Sequence, residues 1–331
     1  MKKIIGVAVF CVLVAGAAFA AGGRADGQAA IDRYPSRPVT GTVAWPAGSG
    51  ADLVFRAVAE VFSDHSGGQP FVVQNLPCAA GGVAGVVDFL MNSAPDGYRT
   101  FQWQIAHVVR SHWDALPFEG NSFEPVAQIM ASFNILTVAG DSRWNTLQEF
   151  VAEARANPGS LSIGNAGPGG GNHMAAVTLE RAAGVQFLHV PFPGGPQSIT
   201  GLLTGDNHGS MNIPPEGVAQ AQAGQLRILA TLSPYRIADF PDVPTAREGG
   251  VDAIFEQWRG LVVPRGTPAG IVHRLQEISR NVVADPRFVE RMEGMMAQPL
   301  FLDATAFNQL IESENSRIEG IIRAAGLGNR W

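Results

Sequence analysis

The sequence predicts an α/β fold in two lobes that are joined by two crossings of the chain. Apolar, strand-like runs alternate with amphipathic, helix-like segments from residue 36 almost to the end, which is typical of mostly parallel or mixed sheets covered by helices. The apolar stretch 126–138 is long enough for two strands and is broken at residues 132–134. A strand near Trp258 would return the chain to the first lobe. Because ligands of α/β folds bind beyond the carboxyl ends of strands, we expect a hinged cleft between the lobes.

The individual elements follow from hydrophobic periodicity. The first helix, at residues 52–65, has one apolar face, formed by Leu53, Val54, Ala57, Val58, Val61 and Phe62. Further helices are predicted at residues 83–92, 147–156, 174–183, 198–203 and 216–223, with two long amphipathic helices after residue 270. Strands are predicted at residues 39–45, 71–74, 100–105, 126–138, 161–164, 187–190, 209–213, 226–231 and 258–263, and residues 106–120 are predicted to be rich in loops. Lobe one then comprises residues 36–131 and 259–331, and lobe two comprises residues 132–258.

The N-terminus has the features of a secretory signal peptide. Lys2 and Lys3 precede an apolar run at residues 4–19, and a small-x-small cleavage site ends at Ala20. A membrane anchor is the alternative, but the run is short for a span of ~20 residues and no stop-transfer pattern follows. We therefore expect cleavage after Ala20, a short leader at residues 21–35, and export to a bacterial periplasm.

Composition narrows the function of the mature chain. Both lysines lie in the signal peptide, which leaves 21 arginines against 29 acidic residues, a net charge of −8. This acidic balance without an arginine cluster argues against nucleic-acid binding. A chain without lysine cannot form a Schiff base or an ordinary P-loop. Its one cysteine, Cys78, cannot form an internal disulfide, and no metal-binding motif occurs, so we expect no metal and no cofactor.

Three glycine-containing loops, each between a predicted strand and a predicted helix, are the candidate ligand site. A helix N-terminus favours an anion because its first N–H groups are unpaired and carry a partial positive charge. Asp52 fits this less well, and it either caps the helix or accepts from a ligand donor. A tight turn or a flexible loop is the alternative for each. The candidates are Trp45, Ala47, Gly48, Ser49, Gly50 and Asp52 in the first loop, Gly169, Gly170, Gly171, Asn172 and His173 in the second, and Phe192 and Gly194 in the third.

Catalytic readings have weaker support. His107 and His112 are five residues apart, which does not place them on one helical face, and neither His-Glu-x-x-His nor Gly-x-Ser-x-Gly is present. Ser49 or Cys78 would have to be the nucleophile of a secreted hydrolase. We therefore expect a binding protein rather than an enzyme.

The mature chain resembles the Bug-type periplasmic receptors of tripartite tricarboxylate transporters. The resemblance rests on the order and spacing of "WPAGSGAD", "NLPCAAGGVAG", "APDGY", "NPGSLSIGNAGPGGGNH", "HVPFPGG", "FPDVPTAREGG", "WRGLVVPRGTP" and "ADPRF". It implies a type II periplasmic-binding-protein fold, a Venus flytrap whose cleft closes on a small carboxylate. In the family, residues matching 47–52 bind ligand mainly through backbone amides and ordered water, and residues matching 169–173 and 192–195 form the other two loops.

The chain departs from the family pattern at several of these positions. Gly170 and Gly171 stand where small hydroxyl residues are usual, Phe192 where tyrosine is common, and Asn212, with His208, where acidic residues are frequent. Asn212 therefore joins the candidate ligand-binding residues, and the pocket is expected to be reshaped.

The resemblance implies a receptor, expected to be a monomer, that delivers an organic anion to membrane permease subunits. A sensory co-receptor that presents its ligand to a membrane kinase shares the fold and is the first alternative. The secreted serine or cysteine hydrolase is the second.

Overall fold

The computed structural model describes residues 31–45, 47–76, 83–114, 116, 118 and 122–328. The signal peptide, most of the leader and Cys78 therefore lie outside the described residues. Within those ranges, no helix combines the length and the apolar character needed to cross a membrane.

The strands form two separate mixed sheets, and helices cover both. The strands are β1 (Val39–Val43), β2 (Phe71–Asn75), β3 (Arg99–Gln104), β4 (Phe123–Ala131), β5 (Ile135–Ala139), β6 (Ser162–Asn165), β7 (Leu188–Pro191), β8 (Gly209–Asn212), β9 (Leu226–Thr231), β10 (Arg259–Pro264) and β11 (Gln298–Leu302). The helices are α1 (Gly50–His65), α2 (Val83–Asn92), α3 (Ile105–Trp113), α4 (Leu147–Ala156), α5 (Gly171–Ala183), α6 (Gly195–Thr204), α7 (Pro214–Gln222), α8 (Ala269–Ala284), α9 (Pro286–Gly294) and α10 (Ala304–Ala324).

The first sheet has the order β11-β4-β10-β3-β1-β2, and the second has the order β7-β6-β8-β5-β9. In the first sheet β1 is parallel to β2 and β3, whereas β10 is antiparallel to β3 and β4. The first residue of β10, Arg259, therefore pairs with the last residue of β3, Gln104. This antiparallel insertion brings the beginning of β10 to the edge where β1 and β3 end, which is where an α/β sheet binds its ligands.

The chain passes twice between the sheets, after β4 and before β10, and the two passages are hydrogen-bonded to each other. Strand β4 ends at Ala131 in one sheet and β5 begins at Ile135 in the other. Ser132 N donates to Gln257 O (3.2 Å), and Gln257 N donates to Ser132 O (2.7 Å). This two-lobed α/β arrangement confirms the predicted fold class, while the stated lobe limits stay a prediction.

Three elements differ from the sequence prediction. Residues 106–120 were expected to be loop, but α3 begins at Ile105, because Ile105, Val108 and Val109 give it a narrow buried face. Helix α9 and strand β11 were not predicted. Helix α9 is short and buries only Phe288 and Met292, and β11 contains Pro299 and is half-buried throughout.

Candidate functional site

A cavity of about 510 Å³ lies between the two sheets. Its walls come from the beginnings of α1 and α5, the junction of β3 with α3, the beginning of α7, and the start of β10 with the residues before it. The lining residues are Trp45, Ser49, Gly50, Ala51, Gln104, Ala106 and Arg110 on the side of the first sheet, residues 166–172, Ile213 and Glu216 on the side of the second, and Gln257 and Arg259.

The beginning of α1 is held by its own side chains. Ser49 is the N-cap, and its hydroxyl accepts a hydrogen bond from Asp52 N (3.2 Å). Asp52 is fully buried, and its carboxylate accepts from Gly48 N (2.8 Å) and from Asn75 Nδ2 (2.9 Å). Ser49 rather than Asp52 is therefore the N-cap, and a ligand contact of Asp52 stays a prediction. Its carboxylate is occupied by the first loop, and the amide of Gly48 is occupied by Asp52.

The remaining amides of the first turn of α1 lie toward the cavity. Leu53 N is the first donor of the helix ladder and bonds to Ser49 O (2.9 Å). Gly50 and Ala51 precede it, so their N–H groups have no acceptor within the helix, and both residues line the cavity. Ala47 and Gly48 are exposed and do not line it.

The beginning of α5 has no side-chain cap. Its N-cap is Gly170, and Met174 N is the first donor, to Gly170 O (3.0 Å). Gly171 and Asn172 line the cavity with their N–H groups ahead of that bond. His173 does not line the cavity. Its Nδ1 accepts from Gly169 N (3.2 Å) and fixes the loop.

The third loop contributes no residue to the cavity lining, so the candidates Phe192 and Gly194 lie outside it. The Phe192 ring packs on α6 so closely that a Cβ on Gly201 would lie 2.5 Å from it. A Cβ on Gly195 would meet both Glu216 oxygens within 2.2 Å, so the start of α6 packs against the Glu216 carboxylate. Asn212 is buried and donates to Gly195 O (3.2 Å) and Ser198 Oγ (3.2 Å), so it supports this loop rather than the cavity wall.

Trp45 lines the cavity at the end of β1, as an apolar wall beside the first loop. Its ring lies 4.7 Å from the ring of His107, which itself stacks on Trp103 at 4.7 Å. Burial lowers the pKa of His107 to about 3, so this imidazole is neutral. His107 is therefore part of the aromatic support of Trp45.

Sequence reasoning missed five polar residues of the cavity: Gln104, Arg110, Glu216, Gln257 and Arg259. Arg110 is ion-paired with Asp114. Gln257, in the second passage between the sheets, donates from Nε2 to Asn134 Oδ1 and Asn172 Oδ1 (both 3.1 Å) and so links that passage to the start of α5. One signal was present in the sequence, because Arg259 of "WRG" lies at the start of a predicted strand. If that strand runs antiparallel to its neighbours, its first residue lies at the edge of the sheet where ligands bind.

The charges of Glu216 and Arg259 are affected by burial. Burial raises the pKa of the Glu216 carboxyl, although hydrogen bonds from Ile213 N and Asn172 Nδ2 act in the opposite direction. Burial also lowers the pKa of Arg259 to about 10, partly offset by the negative charge of Glu216. At neutral pH Arg259 remains a cation.

Comparison with known proteins gives a consistent result. Residues 54–327 match the model of the tripartite tricarboxylate transporter family receptor. A UPF0065 protein of Cupriavidus necator is 31% identical over 91% of this chain and 91% of its own length. A solute-binding protein from Polaromonas of the same family, solved without ligand, has 30% identity and a TM-score of 0.78 over 88% of this chain and 99% of its own. MatC from Rhodopseudomonas palustris, solved with bound malate, has 25% identity and a TM-score of 0.71 over 87% and 100%.

Proposed function

This chain belongs to the tripartite tricarboxylate transporter receptor family, and from that premise we propose that it is a periplasmic receptor that binds a small organic anion, a carboxylate, without transforming it. The observation that carries the proposal is the cavity between the sheets, which the starts of α1 and α5 reach from opposite sides. The malate bound to MatC is a carboxylate on the same fold.

In the proposed mechanism, the amides of Gly50 and Ala51 bind the anion from one lobe and those of Gly171 and Asn172 bind it from the other. Hydrogen bonds to charged groups contribute about 1.5–3 kcal/mol each. Three or four of them, offset by ordering and desolvation, are sufficient for micromolar binding, about −8 kcal/mol. Contacts with both lobes favour a closed arrangement, and the closed receptor would deliver its ligand to the membrane permease.

Calorimetric titration of the mature chain with mono-, di- and tricarboxylates tests the binding step. The matched control for each acid is its uncharged amide, which has nearly the same shape. We expect micromolar binding of at least one acid and no binding of its amide, with a stabilisation of ~2.7 kcal/mol at a hundred times the dissociation constant. An amide that binds as tightly as its acid would contradict an anion site.

Uptake of the labelled acid by cells with and without the gene tests delivery. Loss of uptake in the deletion strain supports the transporter role. Unchanged uptake together with tight binding would instead favour the sensory co-receptor.

A further inference from the structure

The cavity contains an unpaired arginine and a carboxylate that come from opposite sheets. Arg259 lies at the start of β10 in the first sheet, and Glu216 lies in the first turn of α7 beside the second sheet. Both line the cavity. Among the described residues, no carboxylate lies within 4 Å of the Arg259 guanidinium, whereas Arg110, the other arginine of the lining, is paired with Asp114.

Arg259 is held with hydrogen-bonding capacity to spare. Its Nε donates to Gln104 Oε1 (2.9 Å), and its Nη1 donates to Met130 Sδ (3.4 Å). A guanidinium has five N–H bonds, so these contacts within the described part of the chain leave about three for a ligand. Nη2 lies 3.8 Å from the position that a Cβ on Gly50 would occupy, at the start of α1. A ligand carboxylate at this point would contact a guanidinium as well as the helix amides.

Glu216 presents the opposite charge from across the cavity. Its Oε2 accepts from Ile213 N (3.0 Å) and from Asn172 Nδ2 (3.1 Å). The Asn212 side chain is a third donor to this carboxylate. A carboxylate can accept about four hydrogen bonds, so about one position is left for a ligand in the cavity that Glu216 lines. A second ligand carboxylate on this side would meet a like charge, whereas an ammonium group would form a charge-assisted hydrogen bond.

The charges of the lining indicate the net charge of the ligand. Arg259 and Glu216 cancel, as do Arg110 and Asp114, which leaves the partial positive charges of two helix starts. A ligand with separated charges and a net charge between 0 and −1 complements this lining better than an unsubstituted dicarboxylate does.

We propose that Arg259 binds the ligand carboxylate beside α1 and that Glu216 binds a protonated amine on the same ligand, so that this receptor selects amino acids over the corresponding unsubstituted acids. The proposal rests on the proposed receptor function and specifies the ligand class of the same cavity.

The test uses ligand sets that differ only at the carbon next to one carboxylate. Suitable sets are propionate, lactate and alanine; succinate, malate and aspartate; and 3-phenylpropionate, 3-phenyllactate and phenylalanine. For the set that fits the cavity, we expect the amino acid to bind at least tenfold more tightly than the unsubstituted acid and the hydroxy acid to fall between them. One charge-assisted hydrogen bond corresponds to about 10- to 150-fold in affinity. An unsubstituted acid that binds as tightly as its amino analogue overturns the proposal, and this result needs only the wild-type protein.

Two variants assign the effect to the residues. Arg259→Gln should weaken binding of the best ligand at least tenfold, and Arg259→Lys should recover part of that loss. Glu216→Gln should lower the preference for the amino acid over the unsubstituted acid at least tenfold. Circular dichroism and the unfolding midpoint verify the fold of each variant.

The outcomes separate the two proposals. If no carboxylate of any set binds the wild-type protein, the proposed function fails. If carboxylates bind but Arg259→Gln and Glu216→Gln leave affinity and preference within twofold, only the present inference fails.

Discussion

The starts of α1 and α5 reach one cavity from different sheets, and they use their own side chains differently. At α1, Ser49 caps the helix and Asp52 binds the amide of Gly48. At α5, His173 binds the amide of Gly169 as Asp52 binds that of Gly48, but the N-cap is Gly170, which has no side chain and cannot accept from the first turn. The first helix start is therefore built as a fixed wall, whereas the second depends more on the ligand for its hydrogen bonds.

Because of this difference, substitutions at the two helix starts should affect different quantities, the stability of the fold or the affinity for the ligand. A helix whose N-cap offers no side chain lacks about 1 kcal/mol of capping, and a bound anion can supply an equivalent interaction. We therefore expect substitutions of the N-cap Gly170 to alter ligand binding, and loss of the Ser49 hydroxyl to alter mainly the free energy of unfolding.

The largest effect is expected from Gly170→Asp. The new carboxylate would cap α5 itself and repel a bound anion by ~4 kcal/mol if the two charges lie ~4 Å apart at an effective dielectric constant of 20. We expect affinity for carboxylates, measured by calorimetry, to fall at least about 100-fold while the unfolding midpoint is kept or raised. Gly170→Ser is the matched control, because it adds the same Cβ, 3.2 Å from Gly167 O, without the charge. Equal affinities of the two variants would show that the anion does not lie at α5.

A smaller effect is expected from His173, in the second loop, which should make the free energy of unfolding depend on pH. Burial, with the charge of His189 as a second cause, lowers the pKa of His173 to about 4, below its ordinary value of ~6.5. The unfolded chain binds more protons between these values, so stability is full above pH ~6.5 and falls by up to ~1.4 kcal/mol per pH unit as the pH drops toward 4.

His173→Asn should flatten this dependence, because an asparagine carbonyl can accept from Gly169 N but does not titrate. His107, in the first lobe, would contribute a slope of the same sign, and the raised pKa of Glu216 would contribute one of the opposite sign. Asp52 does not contribute in this window. Burial raises the pKa of its carboxyl, but hydrogen bonds from Arg56, Gly48 and Asn75 outweigh that and lower it. Its stabilisation is therefore lost only below pH ~3.8. Urea unfolding of both proteins at pH 4.5, 5.5 and 7 provides the measurement, and parallel curves would refute the role of His173.

The smallest effect is expected from Ser49→Ala. Removal of the cap at α1 should lower the free energy of unfolding by ~1 kcal/mol and change ligand affinity less than threefold. Thr146→Ala is the matched control, because Thr146 caps α4 in the same way, accepting from Glu149 N (3.2 Å), and does not line the cavity. A large loss of affinity in Ser49→Ala alone would mean that the hydroxyl binds the ligand directly.

The parts of the fold that could be predicted are those with strong local signals. Alternating apolar runs predicted two sheets, and the break at residues 132–134 predicted the passage from β4 to β5. The short helix α3 was missed because aromatic and polar residues separate its few buried positions. Its residues Ala106 and Arg110 nevertheless line the cavity.

The sequence points to cavity residues that directly follow a strand. It does not point to residues that reach the cavity through the pairing of distant strands or the packing of distant helices. Glycine loops after strands are visible in the sequence, so Gly50 and Gly171, which line the cavity, were among the candidates. Arg259 reaches the cavity only because β10 runs antiparallel to β3, and Glu216 only because α7 packs beside α6. Neither relation is encoded in a local pattern. Phe192 was misplaced for the same reason, since its ring fills the space left by Gly201 on a neighbouring helix.

The mutual hydrogen bonds of Ser132 and Gln257 constrain how the two halves of the protein can move. Two unpaired connections would allow the lobes to twist, slide and bend relative to each other. Two hydrogen-bonded connections can bend only together, about a line that crosses both. The Gln257 side chain also donates a hydrogen bond to Asn172 in the first turn of α5. A rotation about that line would therefore move the Gln257 side chain, which lines the cavity.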